Sequence, residues 1–141
     1  MLSPYLTAVI LAWIIAQGTK FLLASVKQWG TVDVRKLYAS GNMPSAHTAT
    51  VVSLMTVIGL TQGIESGLFA VSTLFAAIVM YDAVMVRRSS GEQGVAIHAL
   101  IRERKSGIGL PRIALGHQPL EVAVGALVGL AVGVFVFFIT R

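Results

Sequence analysis

The sequence predicts an all-α integral membrane protein, a four-helix bundle with a short interfacial helix between its third and fourth spans. Three observations predict it. The 141 residues are 55% hydrophobic and 12% charged, whereas an ordinary soluble domain is about 25% charged. The mean hydropathy is +0.80, and a soluble chain of this size has too much surface to cover with so few charges. Four apolar stretches approach the roughly 20 residues that cross a bilayer as a helix, and most of the charged residues lie between those stretches. Lipid is the natural solvent for such a chain, read as one domain over residues 1–141.

The first span runs from about Leu2 to Val26, broken late by Lys20. It is apolar almost from Met1, without a basic leader or a clear small-residue cleavage site, so it reads as a retained helix rather than a signal peptide. A polar connection follows, from about Lys27 to Met43. The second span, about Ser45 to Thr61, is the shortest and carries Thr and Ser, which predicts burial among the others. Gln62 to Ser66 reads as a tight hairpin into the third span, about Gly67 to Val86. The longest link, about Arg87 to Gly116, is rich in charge and glycine. Within it, Glu92 to Lys105 places Val95, Ala99 and Arg102 at near-helical spacing, which predicts a short helix lying on the membrane surface. The fourth span, about Leu120 to Thr140, carries Gly125, Gly129 and Gly133. Glycines four apart form a groove for a neighbouring helix. Packing within the bundle is the simpler use of that groove, and a homodimer seam is the alternative.

Charge sets the orientation. The net charge is +5 and the isoelectric point is near 10.1. Because the charges sit between apolar runs, anionic headgroups or phosphate esters suit this balance better than nucleic acid. The first and third links hold Lys27, Arg35, Lys36, Arg87, Arg88, Arg102, Arg104, Lys105 and Arg112, whereas the second link holds only Glu65. Positive residues favour the cytoplasmic side, so both termini should face away from it, as expected for a protein of the cell's inner membrane. The chain has no cysteine, which excludes disulfides, thiolate metal sites and cysteine nucleophiles.

Two segments carry the candidate chemistry. They are Gly41-Asn42-Met43-Pro44-Ser45-Ala46-His47-Thr48 and Gly116-His117-Gln118-Pro119-Leu120-Glu121. Each puts a histidine beside a proline at the start of an apolar helix, where proline is tolerated and where free N–H groups suit a phosphate. The alternating topology brings His47, His117, Lys27, Arg87 and Arg88 to one membrane face, with Lys20 deeper but within side-chain reach. Glu121 lies four residues after His117, on the same helical face. A carboxylate there can fix the imidazole tautomer, an arrangement suited to a nucleophile or base. A paired polar contact at a helix end is the structural alternative. Lys20 and Asp82 are ionisable residues within spans and therefore functional candidates. Lys20 could bind phosphate or snorkel to the interface, and Asp82 is better read as an ion-pair partner that positions an arginine. His98 has no partner pattern and reads as solvated or interfacial.

Pro44-Ser45-Ala46-His47 resembles the Pro-Ser-Gly-His motif of the type 2 phosphatidic acid phosphatase (PAP2) superfamily, and His117 through Glu121 resembles its His-x-x-x-Asp motif. The segments Gly-Asn-Met-Pro-Ser-Ala-His, Tyr81-Asp82-Ala83 through Val86-Arg87-Arg88, and Gly-His-Gln-Pro-Leu-Glu-Val resemble more closely the small divergent PAP2 family, over Lys20 to about Gly125. The resemblance implies a PAP2-like fold with His117 as nucleophile, Glu121 as its orienter and His47 as the acid that protonates the leaving oxygen. Ser45 and nearby backbone N–H groups would hold phosphate oxygens. Lysine and arginine clamps would replace a metal, with no cofactor, drawn from Lys20, Lys27, Arg87, Arg88 and Arg112. Such clamps suffice because phosphoryl transfer needs mainly positioning and charge stabilisation.

The departures from the superfamily are specific. Ala46 replaces Gly, and Glu121 replaces Asp. Lys20 and Lys27 have the spacing of its first motif, but no Arg-Pro follows. The position six before His117 is Pro111 where an arginine is usual, with Arg112 one residue away. Four spans are counted where six are common. The resemblance implies a metal-independent lipid phosphatase acting on a phosphomonoester at the cytoplasmic face, such as phosphatidylglycerol phosphate or phosphatidic acid, through a phosphohistidine. The alternative is a non-catalytic phospholipid-binding or structural membrane protein that keeps the pocket. A small transporter subunit would explain the glycine seam and Lys20, but not paired histidines at helix starts.

Overall fold

A computed structural model describes residues 3–27, 43–111, 113 and 116–141. All regular structure among them is helical. In order, the elements are α1 (Pro4–Lys27), α2 (Ala46–Gln62), α3 (Gly67–Tyr81), a π-helical turn (Asp82–Val86), α4 (Arg87–Glu103) and α5 (Pro119–Ile139). Three helical runs are long and apolar enough to cross a membrane: Pro4–Val26, Gly67–Glu103 and Pro119–Ile139.

The architecture is organised around α2. It packs most extensively on α5, then on α1 and α3, and α1 also packs on α5. At 17 residues α2 is shorter than α1 and α5, with 24 and 21, and it holds the central place that its Thr and Ser content predicted. Ala49, Ser53 and Val57, one turn apart, are all fully buried. The hydroxyls satisfy themselves locally, as with Thr56 Oγ1 donating to the Val52 carbonyl at 2.7 Å. Ser53 also reaches across to the Ala8 carbonyl on α1 at 3.2 Å.

Small residues allow this close packing. Gly125, Gly129 and Gly133 of α5 lie directly on α2 of the same chain. A Cβ at Gly129 would sit 2.4 Å from the Ala49 carbonyl oxygen, and one at Gly125 would sit 2.6 Å from that of Ser45. Intramolecular packing therefore accounts for the glycine spacing, and these glycines do not present a free face. On the other side Ala8, Ala12 and Ala16 form a fully buried stripe on α1 that meets Ala46, Ala49, Val132 and Val136. Large apolar side chains point away from the protein, for example Leu22 and Leu74, as suits lipid-facing surfaces.

Helices α1, α2 and α3 alternate in direction, whereas α5 runs parallel to α2. Tyr5 at the start of α1 bonds Thr61 at the end of α2, at 3.1 Å. Ser45, at the start of α2, donates its N–H to the Glu121 carbonyl in the first turn of α5, at 3.0 Å. The end of α1, the start of α2, the end of α3 and the start of α5 therefore share one end of the molecule.

The surface helix expected between Glu92 and Lys105 takes a different form. Helix starts at Arg87 and continues α3 without a break, so Gly67–Glu103 is one run of 37 residues. At roughly 1.5 Å per residue it extends about 55 Å, well beyond the roughly 30 Å of a hydrocarbon core. The physical reason is plain in Tyr81 to Ser90. Charge there marks an exit from lipid, but no glycine or proline ends the helix.

Candidate active site

The site forms at the end where four helix termini meet. Ser45 is the N-cap of α2, its Oγ accepting from the Thr48 N–H at 3.4 Å and from the Thr48 hydroxyl at 3.0 Å. This places His47 on the first turn, where it is exposed. Ala46 beside it is buried against α1. The methyl that distinguishes this segment from Pro-Ser-Gly-His thus faces the core.

Gln118 caps α5, with Pro119 in its first turn. His117 is 4% exposed, and its Nδ1 lies 2.8 Å from Glu121 Oε2. The same oxygen accepts the Gln118 N–H at 3.1 Å. An ionised carboxylate only accepts. A neutral His117 in this bond therefore carries its proton on Nδ1 and leaves the Nε2 lone pair free. Glu121 occupies the third helical position, where a glutamate reaches back to the capping residue. One carboxylate oxygen thus serves both the helix start and the histidine.

A cavity of about 500 Å³ adjoins His117, lined also by Gly116, Gln118, Glu121, Arg88 and Glu92. Arg88 bonds Glu92 at 3.3 Å, with both side chains largely exposed. Arg87 donates from Nε to Asp82 Oδ2 at 2.6 Å. The pair is more than a third exposed, so its contribution to stability is small. Its effect is to hold the guanidinium in place, the role expected of Asp82. Arg87, Lys20, His117 and Asp82 all lie within electrostatic reach of His47, and Glu121 lies within reach of Lys20.

The structure thus gathers His117, Glu121, His47, Lys20, Arg87 and Arg88 at one end of the molecule. His47 stands outside the lining of the cavity that holds His117. Ser45 is placed differently from a phosphate ligand, being fully buried with its hydroxyl committed to the cap. The Lys27 side chain and all of Arg112 lie outside the described residues. His98, read as solvated or interfacial, lies 2.6 Å through Nε2 from the Pro111 carbonyl in an exposed contact. Among the described residues, Lys20, Arg87 and Arg88 bring positive charge to this end, and no three His, Asp or Glu side chains group as a metal site.

Three features of the site were not legible beforehand. The π turn carries no residue signature. The Ala83 carbonyl on that turn accepts the His117 N–H at 2.9 Å. Gly116 lies against the backbone of Arg87 and Arg88, and its place directly before His117 was the only available signal.

Comparison with known proteins shows the family. A curated relative, the "Uncharacterized membrane protein YuiD" of Bacillus subtilis (strain 168), is 36% identical, with the alignment covering 89% of this chain and 85% of the relative. No solved structure matches the chain. The model of the divergent PAP2 family matches residues 1–132, and the chain, a membrane protein with three apolar helices of spanning length, belongs to that family.

Proposed function

We propose that this protein is a metal-independent lipid phosphatase of the cell membrane, hydrolysing a phosphomonoester such as phosphatidylglycerol phosphate or phosphatidic acid. The observation that carries this reading is the buried His117 with Nδ1 on Glu121 at 2.8 Å, beside a cavity that Arg88 lines. Nε2 attacks phosphorus in line with the ester oxygen. The P–O bond breaks, His47 protonates the departing alkoxide, and a phosphohistidine forms. Water, deprotonated by His47, then attacks that phosphorus. Phosphate leaves and the lone pair returns to His117. Lys20, Arg87 and Arg88 neutralise the non-bridging oxygens. The excess of basic residues at this end favours a site facing the cytoplasm.

A second reading is supported by the exposed position of His47 outside the cavity. In it the basic pocket binds a lipid phosphate without turnover. One experiment separates the two. The protein is purified in detergent with EDTA and offered several lipid phosphates, and phosphate release is compared with that of His117→Ala and His47→Ala. Release by the native chain that both substitutions abolish supports the enzyme. Equal release by all three, or none by any, refutes it.

A further inference from the structure

The turn between α3 and α4 does more than join them. In an uninterrupted α-helix the Arg87 N–H would bond the Ala83 carbonyl. Here it bonds the Asp82 carbonyl, one residue further back, and the Ala83 carbonyl is taken by the His117 N–H at 2.9 Å. The fit is close. A Cβ on Gly116 would stand 2.4 Å from Arg88 N and 2.6 Å from Arg88 Cα, both backbone atoms that cannot move without the helix. The first residue of the same turn, Asp82, holds Arg87 through its carboxylate at 2.6 Å.

We propose that this π turn is a registering device, in which the Ala83 carbonyl and the side-chain-free surface of Gly116 set the nucleophilic histidine against the arginine clamp. Ala83 and Gly116 are positioning residues, acting through His117 and not on substrate. π turns inserted in α-helices often mark functional sites, and here the released carbonyl gives that tendency a cause. One extra residue in the turn frees one acceptor and rotates α4 so that Arg87 and Arg88 approach the start of α5. The inference rests on the phosphatase reading above.

Two variants test it. Deletion of Met85, whose side chain is 54% exposed, restores α-helical register and returns the Ala83 carbonyl to the helix. Gly116→Ala keeps the turn and pushes His117 away from it. Gly107→Ala is the control, because a Cβ there meets nothing. Phosphate release from phosphatidic acid in detergent micelles is measured as kcat and KM, with amide hydrogen exchange at His117 and the thermal unfolding midpoint alongside. A displacement of about 1 Å at a catalytic group can cost about 100-fold in rate. Both variants should therefore lose about 100-fold in kcat, with KM nearly unchanged and the His117 amide newly exchangeable, while Gly107→Ala matches the native chain. Should the deletion abolish folding, Gly116→Ala decides alone. Native kcat in a folded variant whose His117 amide has become exchangeable overturns the inference and leaves the phosphatase reading standing. A native chain that releases no phosphate from any lipid phosphate overturns both.

Discussion

Replacing Glu121 by Gln perturbs the site at its smallest increment, one oxygen exchanged for an amide nitrogen. Glu121 Oε2 receives both His117 Nδ1 at 2.8 Å and the Gln118 N–H at 3.1 Å. A glutamine has one carbonyl oxygen and one NH2. If the oxygen keeps the Gln118 N–H, the NH2 faces His117 Nδ1 and favours the tautomer with its proton on Nε2, which has no lone pair for attack. If the oxygen turns to His117, the cap is lost and the positive charge that would develop on the ring is no longer balanced. Either way kcat should fall by about 100-fold to 10,000-fold, which corresponds to roughly 3 to 5 kcal/mol of barrier at 1.36 kcal/mol per tenfold. Stability should fall far less, by about 1 kcal/mol, the usual value of a helix cap. Glu121→Asp should be intermediate, because the shorter side chain cannot hold both donors. The assay is steady-state phosphate release together with thermal unfolding in the same detergent. A Glu121→Gln protein with kcat within threefold of native, alongside an inactive His117→Ala, would refute the assignment of Glu121 as orienter.

Four further outcomes are expected. Gly129→Leu should destabilise the protein by about 3 kcal/mol or more through overpacking, since even a Cβ would lie 2.4 Å from the Ala49 carbonyl oxygen. Gly67→Ala, in open space, should leave the unfolding midpoint nearly unchanged. Ser45→Ala should cost about 1 kcal/mol of stability as a lost cap and leave kcat/KM within threefold. A tenfold kinetic loss at unchanged stability would instead return Ser45 to the phosphate. Lys20→Ala should raise KM for a lipid phosphate by about tenfold, the scale of one charge-assisted hydrogen bond, and an unchanged KM would remove Lys20 from the clamp.

Hydropathy alone located α1, α2, α5 and the start of α3 within a few residues, because burial in lipid selects for composition, but not the continuation of the third run to Glu103. The glycine seam of α5 was legible as a groove, but spacing does not say which helix fills it. The alanine stripe of Ala8, Ala12 and Ala16 does the same work on α1 and passed unremarked, because alanine is ordinary in any span. His117 with Glu121 could be read from an interval of four, since helical geometry fixes which residues meet. The hydroxyl of Ser45 and the methyl of Ala46 could not be assigned, because the choice between pocket and core depends on how α2 is rotated within the molecule. The π turn lay furthest from reach. An extra residue in a helix changes no composition, and its effect appears only when a distant N–H takes the carbonyl it leaves over.

The Ser45 N–H and the Glu121 carbonyl join the starts of α2 and α5 at 3.0 Å, and Ser45 is sealed from outside contact. Parting the two segments would strand a donor and an acceptor where water cannot replace either, at a cost of several kcal/mol. The histidine segments are therefore tied together when the chain folds, before any lipid arrives. Substrate meets a preorganised site, and the entropy of bringing its two halves together has already been spent in folding, leaving binding free energy available for the reacting phosphate.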